Sequence, residues 1–375
     1  MLGRKEIMFL NNDKISTPHM INIMILNMVG VGILTLPRDL TEGAGTDGWI
    51  ILIIGGLVTM GFSALYGYIV KSFPGKSYFE IASLTLTKPI AYLVGIYFTI
   101  YFIGMTAFVT RIFVDVIRTY VLVRTPKEVI LLSILFLAVY LNRKGIEVLG
   151  RLAELLIIPL AVAIFLLFAV SWGKFEAANL LPIFQISFKE VLQGIPLVFF
   201  SFLGFEVILV FGMFLNQPKK SVKAAPIAVF VVLLLYLLIN TSVMGNFGDN
   251  QVQRLIWPLL TNFENVDLPG AFIENVGVVV MSVWVFTVFT TISPMYLAGN
   301  LLIAQLLQGR EHNYIALSLM PVIYLVSQWS DSVSDTYQYV EMLTNYIGYG
   351  VMIIIPMVIL LITVVKGRHR KEEGR

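Results

Sequence analysis

Residues 16–37 read Ser-Thr-Pro-His-Met-Ile-Asn-Ile-Met-Ile-Leu-Asn-Met-Val-Gly-Val-Gly-Ile-Leu-Thr-Leu-Pro. This run is long and apolar enough to cross a bilayer, which takes about 20 residues as an α-helix. Two glycines, Gly30 and Gly32, fall in its middle, and Pro37 closes it. Each glycine weakens a helix by roughly 1 kcal/mol relative to alanine. The pattern predicts a membrane span that is unwound at its centre. Taken alone, the glycines fit close helix packing equally well, because small residues serve that purpose in membranes.

A second weak centre lies further along. The span over about 191–215 carries Ser201-Phe-Leu-Gly-Phe-Glu206 near its middle. Between and beyond these two, apolar runs place ten spans at about 16–37, 48–70, 89–118, 127–142, 152–172, 191–215, 225–246, 269–296, 313–328 and 338–365. The stretch 297–309 either continues the eighth helix or turns along the membrane surface. If spans 1–5 and 6–10 are repeats, the two breaks occupy matching positions. Paired interruptions of this kind point to a binding site at the membrane midplane. Unwound backbone frees N–H groups, and the half-helix N-terminus adds positive dipole, so a carboxylate can be held without a basic side chain.

Composition agrees with a membrane protein. Of 375 residues, 58% are hydrophobic and 13% charged, against about 25% charged in soluble domains. The closed-barrel alternation that spanning strands require is absent. Eighteen of the 26 Lys and Arg residues fall at the two termini and in the loops around 71–88, 143–151, 219–223 and 310. Seven fall in the opposite set, which puts both termini in the cytoplasm and demands an even number of spans. The expected organisation is a cytoplasmic N-terminus over 1–15, one transmembrane domain over 16–365 with repeats at about 16–172 and 191–365, and a basic cytoplasmic tail over 366–375. The net charge of +3 is scattered in short clusters, so nucleic acid is not an expected partner. There is no cysteine, which excludes thiol catalysis, thiolate metal sites and disulfides. His19, His312 and His369 lie far apart, and no catalytic constellation, cofactor or metal site is expected.

Glu206 is the most informative charge, because an acid near mid-membrane costs roughly 2.5 kcal/mol or more to insert. Three roles are open to it: holding a ligand ammonium, carrying a proton, or capping the N–H groups freed in the first span. By depth, the third span brings Tyr97, Tyr101 and Gly104 towards the same level, and the eighth brings Trp284, Thr287 and Thr291. Their polar groups are either ligand contacts or glue between helices. The candidate binding set is therefore Gly30, Gly32, Tyr97, Tyr101, Ser201, Phe202, Gly204, Glu206 and Thr287. Arg111, Asp115 and Arg118 recur at helical spacing and read as a snorkelling cluster at the outer end of the third span. Arg151 and Glu154 read as a surface pair. In the outer loop, Val252, Leu255, Ile256, Leu259, Leu260 and Phe263 form one face of an amphipathic helix, bent or starting late at Pro258. That helix is either a lid or a passive interfacial element.

An ordered series of motifs carries a resemblance. It includes Gly30-Val-Gly-Ile-Leu-Thr-Leu-Pro37, Glu42-Gly-Ala-Gly-Thr-Asp-Gly-Trp-Ile50 and Phe73-Pro-Gly-Lys-Ser77. It continues with Gly145-Ile-Glu-Val-Leu-Gly-Arg-Leu-Ala-Glu154, Ile256-Trp-Pro-Leu259 and Phe272-Ile-Glu274 leading to Trp284. Together they resemble the B subunit of bacterial spore germinant receptors, a permease-like branch of the amino acid–polyamine–organocation superfamily. The resemblance implies a 5+5 inverted repeat with broken helices 1 and 6. It implies recognition of a small-molecule germinant, often an amino acid, in the spore inner membrane beside germinant receptor A and C subunits. It carries the ligand site onto the first-span glycines and the segment containing Glu206. One departure stands out: the fifth span, Leu152 to Trp172, lacks the lysine that replaces sodium in some proton-coupled permeases of the superfamily. The leading expectation is a ligand-sensing subunit, with an active amino acid permease or a ligand-opened conduit as alternatives.

Overall fold

Ser16 starts the first helix. Its hydroxyl accepts the His19 N–H at 3.2 Å, with Pro18 in the first turn of α1 (Thr17–Met28), a position where a missing N–H costs nothing. In the computed structural model, which describes residues 13–264, 276–308 and 312–373, α1 ends at Met28 and α2 (Gly32–Ala44) completes the first span. The first repeat continues with α3 (Gly48–Ser72), a short α4 (Tyr78–Thr85) held by a Ser77–Glu80 capping box, α5 (Lys88–Tyr120), α6 (Lys127–Arg143) and α7 (Ile146–Ser171). The sixth span is likewise split, into α8 (Phe188–Ser201) and α9 (Val207–Phe211). Next come α10 (Ser221–Phe247), α11 (Asp249–Val252), α12 (Pro258–Glu264), α13 (Val276–Leu306) and α14 (His312–Ser327). The last span enters through α15 (Val333–Leu343), passes two π-helical stretches at Thr344–Gly348 and Gly350–Ile354, and leaves as α16 (Ile355–Glu373).

Among the described residues six helical runs are long and apolar enough to cross a membrane, and they correspond to the second, third, fifth, seventh, eighth and tenth spans. The others fall short for visible reasons. α6 and α14 have only 17 and 16 residues, and the first and sixth spans are broken. Lengthwise packing follows the repeat: α3 lies along α10, α5 along α13 and α6 along α14. These are the second and seventh, third and eighth, and fourth and ninth spans. Five is an odd offset, so each pair runs in opposite directions and the two repeats are inverted. Among the described residues the only β pairing is an isolated bridge. There Ile15 donates to the Phe214 carbonyl at 2.9 Å and accepts from the Asn216 N–H at 3.0 Å, which ties the start of the first span to the end of the sixth.

Several local expectations change. α13 continues to Leu306, so most of 297–309 extends the eighth helix. The outer loop is not one amphipathic helix: α11 stops at Val252 and α12 starts at Pro258. Val252, Leu259, Leu260 and Phe263 are buried, whereas Ile256 points outward. Proline has no N–H to contribute and fits the first position of α12, so the stripe divides there. The Arg111–Asp115 cluster does not snorkel. Both side chains are buried and pair at 3.0 Å, because a membrane bundle lets one charge satisfy another four residues along the same helix. Arg151 and Glu154 do not pair with each other. Arg151 bonds Glu147 at 2.6 Å, and Glu154 meets His19 of α1 at 3.0 Å. Phe272 to Glu274 lie outside the described residues, as do 1–12 of the N-terminus and the end of the tail.

Candidate functional site

The two breaks face each other at the centre of the bundle. Gly32, the first residue of α2, lies against the backbone of Ser201, the last residue of α8. A β-carbon on Gly32 would stand 3.1 Å from the Ser201 Cα. Gly30 lies so close to Thr291 of α13 that a β-carbon would collide with that side chain. Both glycines therefore serve close packing, and Gly32 also lines a small cavity between the breaks. Asn27, Met28, Ser201 and Thr291 line the same cavity, with Met105, Val109, Leu203, Met295 and Val340 adding apolar walls. Its volume is about 20 Å³, room for roughly one water. The Ser201 hydroxyl and the Asn27 amide oxygen are buried and lack hydrogen-bond partners among the described residues.

Glu206 is fully buried. One carboxylate oxygen accepts the Tyr101 hydroxyl at 2.9 Å and the other accepts the Gly204 N–H at 2.7 Å. The acid thus caps the break in its own span, not the one in the first. Gly204 sits at φ 119°, in a region that suits glycine alone. Its carbonyl accepts the Asn27 side-chain amide at 2.8 Å, which fastens the sixth-span turn to α1.

The carbonyls at the ends of α1 and α8 meet a residue that the sequence reading did not single out. The Tyr236 hydroxyl, on α10, stands 2.8 Å from the Met28 carbonyl and 2.7 Å from the Ser201 carbonyl. One phenol therefore bridges the C-terminal ends of both half-helices, where backbone acceptors have no partner in their own helix. The sequence-level hint is a tyrosine inside the apolar run 229–239. Phe202 packs its ring against Tyr236 at 5.1 Å and lies outside the cavity lining. From α13, the Trp284 indole donates to the Gly30 carbonyl at 3.3 Å, and the Thr291 hydroxyl donates to the Leu26 carbonyl at 2.9 Å.

Two candidates sit apart from the breaks. The Tyr97 hydroxyl bonds the Tyr346 carbonyl in the π-helical part of the last span at 3.1 Å. Thr287 is buried, and its hydroxyl bonds the Val283 carbonyl of its own helix at 3.0 Å. Asp47, within the Glu42–Ile50 motif, has a structural task. Its carboxylate gathers the N–H groups of Phe184, Gln185 and Ile186, fixing the loop that leads into α8.

Residues 14–336 match the sequence profile of the spore germination proteins. The chain belongs to that family. Spore germination protein YndE of Bacillus subtilis is 28% identical over 98% of this chain and 100% of its own length. Spore germination protein A2 of the same organism is 29% identical over 95% and 97%, and GerLB of Bacillus cereus is 27% identical over 92% and 93%. Among solved structures, MhsT in complex with L-phenylalanine superposes with a TM-score of 0.67 at 13% identity, covering 92% of this chain and 97% of that one. A sodium-coupled sialic acid symporter in a substrate-bound outward-open state reaches 0.67 at 12% identity, over 90% and 77%. This spore germination protein thus has the broken-helix fold of solute transporters and is a multi-pass protein of the spore or cell membrane.

Proposed function

We propose that the chain is the ligand-sensing membrane subunit of a spore germinant receptor, binding a small germinant at the two breaks. The carrying observation is the junction of α1, α2 and α8. α2 begins at Gly32 with no side-chain cap, so its positive end is free for an anion. Beside it lie the unpartnered Ser201 hydroxyl and Asn27 amide oxygen. A carboxylate at the α2 terminus and an ammonium near the Asn27 oxygen would match those donors and acceptors, which suits an amino acid. A solved transporter of the same fold whose structure holds L-phenylalanine supports this reading. The cavity of about 20 Å³ must widen to admit any amino acid, so binding is coupled to movement of the half-helices. That movement is the signal we assign to the A and C subunits of the receptor, in the spore inner membrane. Glu206 is occupied by Tyr101 and Gly204, so it supports the site from behind and does not contact the ligand.

The test is Gly32→Ala in the full receptor. The added methyl narrows the cavity and crowds Ser201 without adding charge. We expect the germinant concentration for half-maximal response to rise roughly tenfold, the effect of about 1.4 kcal/mol, with subunit levels on immunoblots unchanged. An unchanged dose–response at normal levels would remove the midplane site from consideration.

A further inference from the structure

A second, larger cavity opens on the face that the charge bias assigns to the outside. Its volume is about 390 Å³, within the range of small-molecule sites. It lies between α2, α8 and the start of the last span, and its wall carries Arg38, Asp39, Glu42, Tyr337, Gln338 and Glu341. Three carboxylates face one guanidinium. Arg38 is largely neutralised: it pairs with Asp39 at 3.2 Å and Glu42 at 3.6 Å, and donates to the Ile256 carbonyl at 3.4 Å. Glu341 is exposed, and among the described residues its carboxylate accepts a hydrogen bond from the Asn345 amide at 3.4 Å and has no cationic partner. Tyr337 accepts from the Trp257 indole at 3.0 Å. Among the described residues no trio of metal-ligating side chains occurs.

We propose that this vestibule is a binding site for organic ammonium groups, with the Glu341 carboxylate as the recognising group. A cleft walled by excess negative charge concentrates cations, and one free carboxylate suits a primary amine better than a divalent ion. The vestibule also adjoins the midplane cavity along one helix, because Val340 lines the inner space and Glu341 the outer. Resting on the functional reading above, an amino acid would dock here by its ammonium before the half-helices part to admit it.

The chain contains no cysteine, so Gln338→Cys places a single thiol in the vestibule of the full-length protein in its native membrane. Ser334→Cys, on the same wall, serves if the first variant accumulates poorly. The readout is the modification rate by 2-(trimethylammonium)ethyl methanethiosulfonate and by 2-sulfonatoethyl methanethiosulfonate, referred to Gln251→Cys on exposed α11. We expect a cation-over-anion rate ratio several-fold above the reference. Adding Glu341→Gln should lower it roughly tenfold at low ionic strength, because one unit charge about 5 Å away changes each rate about fourfold in opposite directions. Millimolar ethanolamine, an amine without a carboxylate, should slow labelling only while Glu341 is intact. A ratio equal to the reference, insensitivity to Glu341→Gln, or absence of ethanolamine protection would each overturn the proposal. These measurements do not involve Gly32, so a failed midplane test leaves them standing, and their failure leaves the midplane site intact.

Discussion

The two breaks occupy matching places in the inverted repeats but are finished differently. The sixth-span turn has a cap of its own: Glu206 reaches back to the Gly204 N–H and a left-handed glycine makes the corner, while Tyr101 of α5 and Asn27 of α1 hold it from outside. The first-span break carries no cap of its own. It is held by neighbours: Trp284 on the Gly30 carbonyl, Thr291 on the Leu26 carbonyl, and Tyr236 on the Met28 carbonyl. A turn with an internal cap resists a shift of the bundle better than one held only by its neighbours. On the function we propose, this asymmetry would make the sixth span the fixed wall of the site and the first span the responsive one.

The strongest challenge to this contrast is Glu206→Ala. It strands a buried N–H and a buried hydroxyl, each at about 1–3 kcal/mol, so subunit levels on immunoblots should fall several-fold. Glu206→Gln keeps an acceptor for Gly204, and both accumulation and germinant response should survive. A Gln variant that accumulates but does not respond would give the acid a direct part in binding or proton movement, and the fixed-wall reading would fail.

Gly30→Ala ranks next. The new methyl meets Thr291, and overpacking of this kind costs about 1–3 kcal/mol. Response should be lost with moderate loss of protein, and Thr291→Ala should restore part of it. Full tolerance of Gly30→Ala would mean that the first-span break is looser than its contacts imply.

Tyr236→Phe should have the smallest effect and the most specific. It removes one hydroxyl shared by both half-helix ends, a loss of about 1 kcal/mol. Protein levels should hold while the half-maximal germinant concentration shifts about fivefold. If dose–response is unmoved, the two breaks are not coupled through this phenol.

Much of the molecule can be read from residue order alone. Apolar runs of sufficient length define the spans, and glycines at 30, 32 and 204 mark the interruptions, because both signals act within a few residues of chain. The odd offset between repeats then dictates their inversion. What sequence cannot display is which polar side chain serves which break. Tyr236 and Tyr97 are both tyrosines in apolar helices, yet one bridges the breaks and the other serves the π-helical stretch of the last span. Glu206 reads locally as a free intramembrane acid, and only the packing of α5 against the sixth-span turn supplies Tyr101 as its partner. These pairings join residues 35 to 249 positions apart, and hydrogen bonds across such distances exist only after the bundle has brought the helices together. Local chain chemistry therefore determined where the backbone opens, and tertiary packing decided which side chains serve each opening.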